Sequence, residues 1–126
     1  MKESEIIEGN KLIAEFMGWK IDYRHSSFTD GKPNEVLVSP DGKTVLRTHN
    51  ELYRLQYYES WDWLMPVVEK IVRGNAFLRF KIMIQSNIGY TDIVSVHPDM
   101  KNIITINGHT TIQHTWLAAV AFIKLP

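Results

Sequence analysis

Five histidines, His25, His49, His97, His109 and His114, are the first side chains here that could hold a metal or move a proton. Their spacing supports neither role. His109 and His114 are five apart and straddle an expected helix start, so they do not share a face as an i, i+4 zinc pair does. His49-Asn50-Glu51 and His97-Pro98-Asp99 are strings too short to be informative, and solvated loop histidines are the commoner case. A small enzyme would have to assemble its site from His49, Glu51, Asp62 and His97, all placed in loops or at an element's end.

The triplet Trp61-Asp62-Trp63, with Tyr58 just before it, offers different chemistry. Aromatic faces beside a carboxylate make a binding platform, so Tyr58, Trp61, Asp62 and Trp63 form the candidate interaction surface. The plainer reading is packing, since large aromatics are most often core residues: Trp61 would open a helix's apolar stripe and Asp62 would cap that helix. Arg79, Lys81 and Lys101 could touch a nucleic-acid backbone, although a few cations on a neutral chain usually do no more than hold water.

Other chemistry lacks its residues. The chain has no glycine-rich phosphate loop, no Gly-x-Ser-x-Gly elbow and no paired-glycine dinucleotide fingerprint, so no cofactor is expected. Without cysteine it forms no disulfide and no thiolate site, which suits a reducing compartment and makes cytoplasm the expected location. Lys plus Arg and Asp plus Glu balance at 14 each, so no net field draws it toward nucleic acid or an anionic membrane. Its longest purely apolar run, residues 116 to 123, is eight residues, where a bilayer span needs about 20. At 126 residues and 44% apolar composition, a single self-sufficient domain over residues 1–126 is expected.

The elements that would position these residues follow from hydropathic rhythm. Ser4 can cap a helix over residues 4 to 17, with Ile6, Ile13, Phe16 and Met17 on one face and Gly18 as a left-handed stop. Trp19 to Arg24 alternates as a strand with one wet face requires. After a loop over residues 25 to 34, Val36-Leu37-Val38 and Thr44-Val45-Leu46-Arg47 flank Ser39-Pro40-Asp41-Gly42-Lys43, the best hairpin signal in the chain. Tyr53, Leu55 and Tyr57 alternate as a further strand would.

A second helix is expected over residues 61 to 73, with Trp61, Leu64, Val68, Ile71 and Val72 on its apolar face. Pro66 favours Asp62 as the cap, because the missing N–H then falls in the first turn. Residues 77–84 and 92–97 read as strands joined by a turn at 86 to 89, and residues 103–106 as a short strand or buried connection. Thr110 and Gln113 have capping-box spacing ahead of a third helix, the most enclosed, facing inward with Ile112, Trp116, Ala119, Val120 and Ile123. The order α-β-β-β-α-β-β-α implies an α+β fold: one mainly antiparallel sheet of four to six strands with helices mostly on one face, the alternative being a three-layer α-β-α sandwich. Unpaired sheet edges leave room for a homo-oligomer.

Three segments occur together in this order: Asn10-Lys11-Leu12-Ile13-Ala14-Glu15-Phe16-Met17-Gly18, then Ser60-Trp61-Asp62-Trp63-Leu64-Met65-Pro66-Val67-Val68-Glu69-Lys70-Ile71, then Ala119-Val120-Ala121-Phe122-Ile123-Lys124. With them the chain resembles a family of small proteins of gut bacteria and their prophages, related to the phage α-β-α (ABA) sandwich domain. The family often has a histidine and a small hydroxyl residue where Tyr58 and Glu59 stand, and an acidic residue at Ala121. The resemblance implies a non-catalytic accessory or interaction protein of a prophage or mobile element, with a protein partner, and it implies no ligand or activity. A nucleic-acid-binding accessory is the alternative, and a small His/carboxylate enzyme the second.

Overall fold

A computed structural model describes residues 2–25, 33–74, 78–84, 89–95, 101–107 and 111–125, with side-chain surroundings for 2–24, 33–74, 106 and 112–125. It is α+β, as the rhythm predicts, with three helices. Among the described residues the strands form two antiparallel sheets of three, where a sheet of four to six was expected. Packing divides the chain into two compact units, residues 1–55 and 56–126.

In the first unit, helix α1 spans Glu3–Phe16 and strands β1 (Lys20–His25), β2 (Pro33–Val38) and β3 (Val45–Arg47) follow as a meander in spatial order β1-β2-β3. The helix starts one residue before the expected cap: Lys2 is the N-cap, and Ser4 lies inside the first turn with Glu3 and Glu5, which the helix dipole favours there. Its buried residues are Gly9, Asn10, Ile13 and Ala14, while Ile6, Phe16 and Met17 are only half-buried. Gly18 ends it as predicted. At φ 100° it turns the chain so that its N–H reaches Glu15 O at 3.1 Å and the Trp19 N–H reaches Ala14 O at 2.9 Å, a Schellman pair. Alanine at Gly18 would be strained by that φ, and its Cβ would stand 3.4 Å from Pro40 Cγ. Gly18→Ala should therefore lower stability by about 1 kcal/mol or more in urea denaturation.

The expected hairpin is present, with Val38 paired to Val45. The Gly42 N–H donates to Ser39 O, and Asp41 Oδ1 accepts from the Ser39 hydroxyl at 2.6 Å and from the Lys43 N–H at 2.9 Å. These bonds, Ser39's first, hold the Asp41 carboxyl below its ordinary pKa. Leu37 and Leu46 are in register and buried, and with Ile13 each contributes roughly 1.5–3 kcal/mol by leaving water. Tyr23 departs from the expected rhythm: it belongs to the apolar set of β1 yet is 61% exposed.

The strand expected around Tyr53 is a 3₁₀ turn over Leu52–Arg54, closed by Arg54 N–H to Glu51 O and Leu55 N–H to Leu52 O. Leu52 and Leu55 are both buried, the i, i+3 eclipse that such a turn imposes. Alternation reads residues two apart, which holds for buried Leu55 and Tyr57, whereas the turn sets Leu52 and Leu55 three apart and leaves Tyr53 exposed.

The second unit opens with helix α2 (Trp61–Arg73), continues through strands β4 (Leu78–Ile84), β5 (Gly89–Ser95) and β6 (Lys101–Asn107) in order β4-β5-β6, and ends with helix α3 (Thr111–Ile123). The 103–106 segment is thus the centre of a full strand. α3 contacts all three strands, and α2 contacts both β4 and α3, so the two helices share one face of this sheet.

Helix α2 begins earlier than Pro66 suggested. Ser60 is the N-cap, its carbonyl accepting from Trp63 and Leu64, so Asp62 is a first-turn residue rather than the cap. Pro66 then falls in the second turn and leaves the Asp62 carbonyl without its helical donor. The buried stripe is Leu64, Val67, Val68 and Ile71. Thr110, the expected cap of α3, lies outside the described residues, as do His97, His109, most of the 25 to 34 loop and most of the 86 to 89 turn.

Candidate functional site

The four residues of the candidate surface have different surroundings. Trp61 is 37% exposed, and Asp62 is exposed beside it. Trp63 is half-buried with its ring edge-on to buried Tyr57, centroids 5.1 Å apart at 83°. Tyr58 is half-buried and edge-on to Trp116 at 5.0 Å and 84°. Burial pushes the Tyr58 hydroxyl pKa up, and the neighbouring Glu59 carboxylate adds to the effect. Tyr58 and Trp63 are therefore packing residues with one edge outward, which anchor the segment before α2. Trp61 and Asp62 face water.

Trp61 gains a partner that the sequence reading omitted. Met65, one helical turn on, is 39% exposed, and Pro66 and Glu69 extend the open flank. The signal was present in Val67. With Val67 in the apolar stripe, the centre of the buried face turns away from position 61 and leaves 61 and 65 together on its edge.

Of the histidine and carboxylate set, His97 lies outside the described residues, His49 and Glu51 belong to the first unit and Asp62 to the second. His49 is exposed. Glu51 is engaged as a clamp on its own loop, taking the Arg47 N–H at 3.1 Å, Arg47 Nε at 3.0 Å and Arg54 Nη1 at 3.7 Å. Those bonds, led by the Arg47 N–H, lower its carboxyl pKa. His114 is fully buried within α3 beside buried Thr115 and Trp116, which corrects the loop reading for this residue. Among the described residues no three His, Asp or Glu side chains come together as a metal ion would need.

No family model, curated protein or solved structure matches the chain.

Two further surfaces among the described residues bear on binding. A depression of about 310 Å³ on the first unit is lined by Gly18, Lys20, Ile21, Asp22 and Arg24 and by residues 38–40. Its charges are mixed, and Asp22 Oδ2 lies 3.6 Å from Arg24 Nε, so it holds no concentrated field for an ionic ligand. On the second sheet, Lys81 is in register with Asp92, and Lys101 with Ser95, the partner of Leu78 rather than of Arg79. The three cations therefore do not line up across the strands. No helix among the described residues is long and apolar enough to cross a membrane.

Proposed function

We propose that this chain is a non-catalytic interaction protein of a prophage or mobile element, and that it docks a protein partner through the open flank of α2. One observation carries the reading. Trp61 and Met65 stand exposed one turn apart on a helix whose opposite stripe, Leu64, Val67, Val68 and Ile71, is already buried. Trp is the side chain most often found dominating binding energy, and Met adapts to irregular partners. Asp62 and Glu69, also exposed, give the patch an acidic rim. The resemblance to small prophage proteins supplies the biological setting, a bacterial cytoplasm.

A photo-crosslinking residue at position 61, in the native host cell, should give a discrete adduct with one partner. Trp61→Ala with Met65→Ala should then weaken binding of that partner by about 30-fold or more, the scale of a lost hot spot. Adducts no more discrete than those from the same probe at exposed Glu8 would count against the reading, as would turnover in a substrate screen. A nucleic-acid partner is the weaker reading, since Lys81 pairs in register with a carboxylate position; it requires binding that falls steeply with salt.

A further inference from the structure

β1 is an edge strand whose charge pattern suits its own kind. Among the described residues it has a neighbour on one side only, β2, and Lys20, Asp22, Tyr23 and Arg24 are all exposed, so no described residue covers that side of it. Three hydrogen bonds show which of its backbone groups point outward. The Thr48 N–H and hydroxyl both donate to Glu35 O, which turns Glu35 toward β3 and away from Tyr23, its partner in register. The Tyr23 N–H, correspondingly, is taken by the Asp22 carboxylate at 2.8 Å and not by β2. By the alternation of an antiparallel ladder, Ile21, Tyr23 and His25 offer their N–H and C=O groups to the open side.

We propose that this edge pairs with β1 of a second copy, antiparallel about a two-fold axis at Tyr23. Charge decides the register. An axis at Asp22 would set two Asp22 side by side and Lys20 against Arg24, all like-charged. An axis at Ile21 would use only the start of the strand and run into Gly18, whose φ of 100° has left extended geometry. An axis at Tyr23 keeps residues 21 to 25 in the ladder and puts Asp22 of each copy opposite Arg24 of the other. The Asp22–Arg24 ion pair within one chain then becomes one half of an alternating four-charge cluster. Tyr23 meets its own copy on the opposite face, covering an aromatic ring that is otherwise 61% exposed. Its N–H exchanges the Asp22 carboxylate for the partner's carbonyl. Charged residues on an edge ordinarily block pairing with other chains, and this mixed-sign pattern opposes the Asp22 register while favouring the Tyr23 one.

Sedimentation across a concentration series tests it without touching Trp61 or Met65. The chain should show a monomer–dimer equilibrium that loosens with salt. Asp22→Arg should weaken the dimer by about tenfold or more, because two attractive cross-strand pairs become repulsive. Tyr23→Pro should abolish it by removing the central outward N–H while leaving the β2 ladder intact. The exchange Asp22→Arg with Arg24→Asp should restore it, which separates lost pairing from lost folding. A monomer at every concentration overturns the proposal, as does a dimer indifferent to Asp22→Arg or Tyr23→Pro, or a folded exchange variant that stays monomeric.

Discussion

Trp116→Ala should cost about 3–5 kcal/mol, the range for removing a fully enclosed tryptophan. The ring is 2% exposed and forms the floor on which the Tyr58 ring stands edge-on. Part of the loss is transfer free energy, part is the cavity left behind, and part is the aromatic pair itself. Whole-domain stabilities are about 5–15 kcal/mol, so this one substitution removes a large fraction. The thermal midpoint should fall by at least about 10 °C for a unit of this size. Trp61→Ala is the matched control. Its ring is already partly in water, and its removal should cost about 1 kcal/mol or less. Equal losses at the two positions in thermal and urea unfolding would mean that the enclosure of Trp116, or the openness of Trp61, is wrong, and the docking proposal would fall with the latter.

Local signals were legible where one residue type answers one geometric demand. Gly18 stops α1 because only glycine enters its backbone region freely, and Ser39 to Lys43 turns the hairpin because Asp41 bonds its own loop while Gly42 takes φ 75°. The helices were legible from apolar spacing, although the caps expected at Ser4 and Asp62 stand two residues earlier, at Lys2 and Ser60. Legibility failed where tertiary burial replaced local rhythm. Leu52 and Leu55 are buried three apart across a 3₁₀ turn, so the alternation of Tyr53, Leu55 and Tyr57 fails at exposed Tyr53. The division into two sheets leaves no trace in hydropathy, because a wet-faced strand looks the same whichever sheet receives it.

The site was legible in name and not in orientation. The Trp-Asp-Trp run marks the right turn of the chain, yet its two rings part ways: Trp63 turns in to Tyr57 and Trp61 turns out beside Met65. His114 shows the opposite error. A histidine counts as polar in any periodicity, but His114, Thr115 and Trp116 are each followed one turn later by a buried residue, Ala118, Ala119 and Val120. Three adjoining columns of α3 are therefore enclosed, and the two alanines are what let neighbours come close enough to enclose polar side chains with them.

Asn10→Ala should cost about 1–3 kcal/mol, although the side chain removed is small and polar. Asn10 is 3% exposed, and its Nδ2 donates at 3.1 Å to Leu55 O, the carbonyl just past the 3₁₀ turn, 45 residues along the chain. Truncation leaves that carbonyl buried without this donor, and such a group bears its desolvation penalty in full. Asn10→Asp should be at least as damaging, because a carboxylate has no proton to offer the carbonyl and is charged in a buried place. The effect should also be local. The Leu55 N–H, protected by Leu52 O, should exchange with solvent faster in the variant than the β1–β2 ladder amides do, since the clamp holds the turn and not the strands. A variant as stable as the wild type, with Leu55 exchange unchanged, would show that apolar burial of Leu52 and Leu55 alone seats the turn. Loss of the clamp with the turn loosened would show why a buried asparagine sits on the inward face of α1, a position where periodicity alone calls for a hydrocarbon.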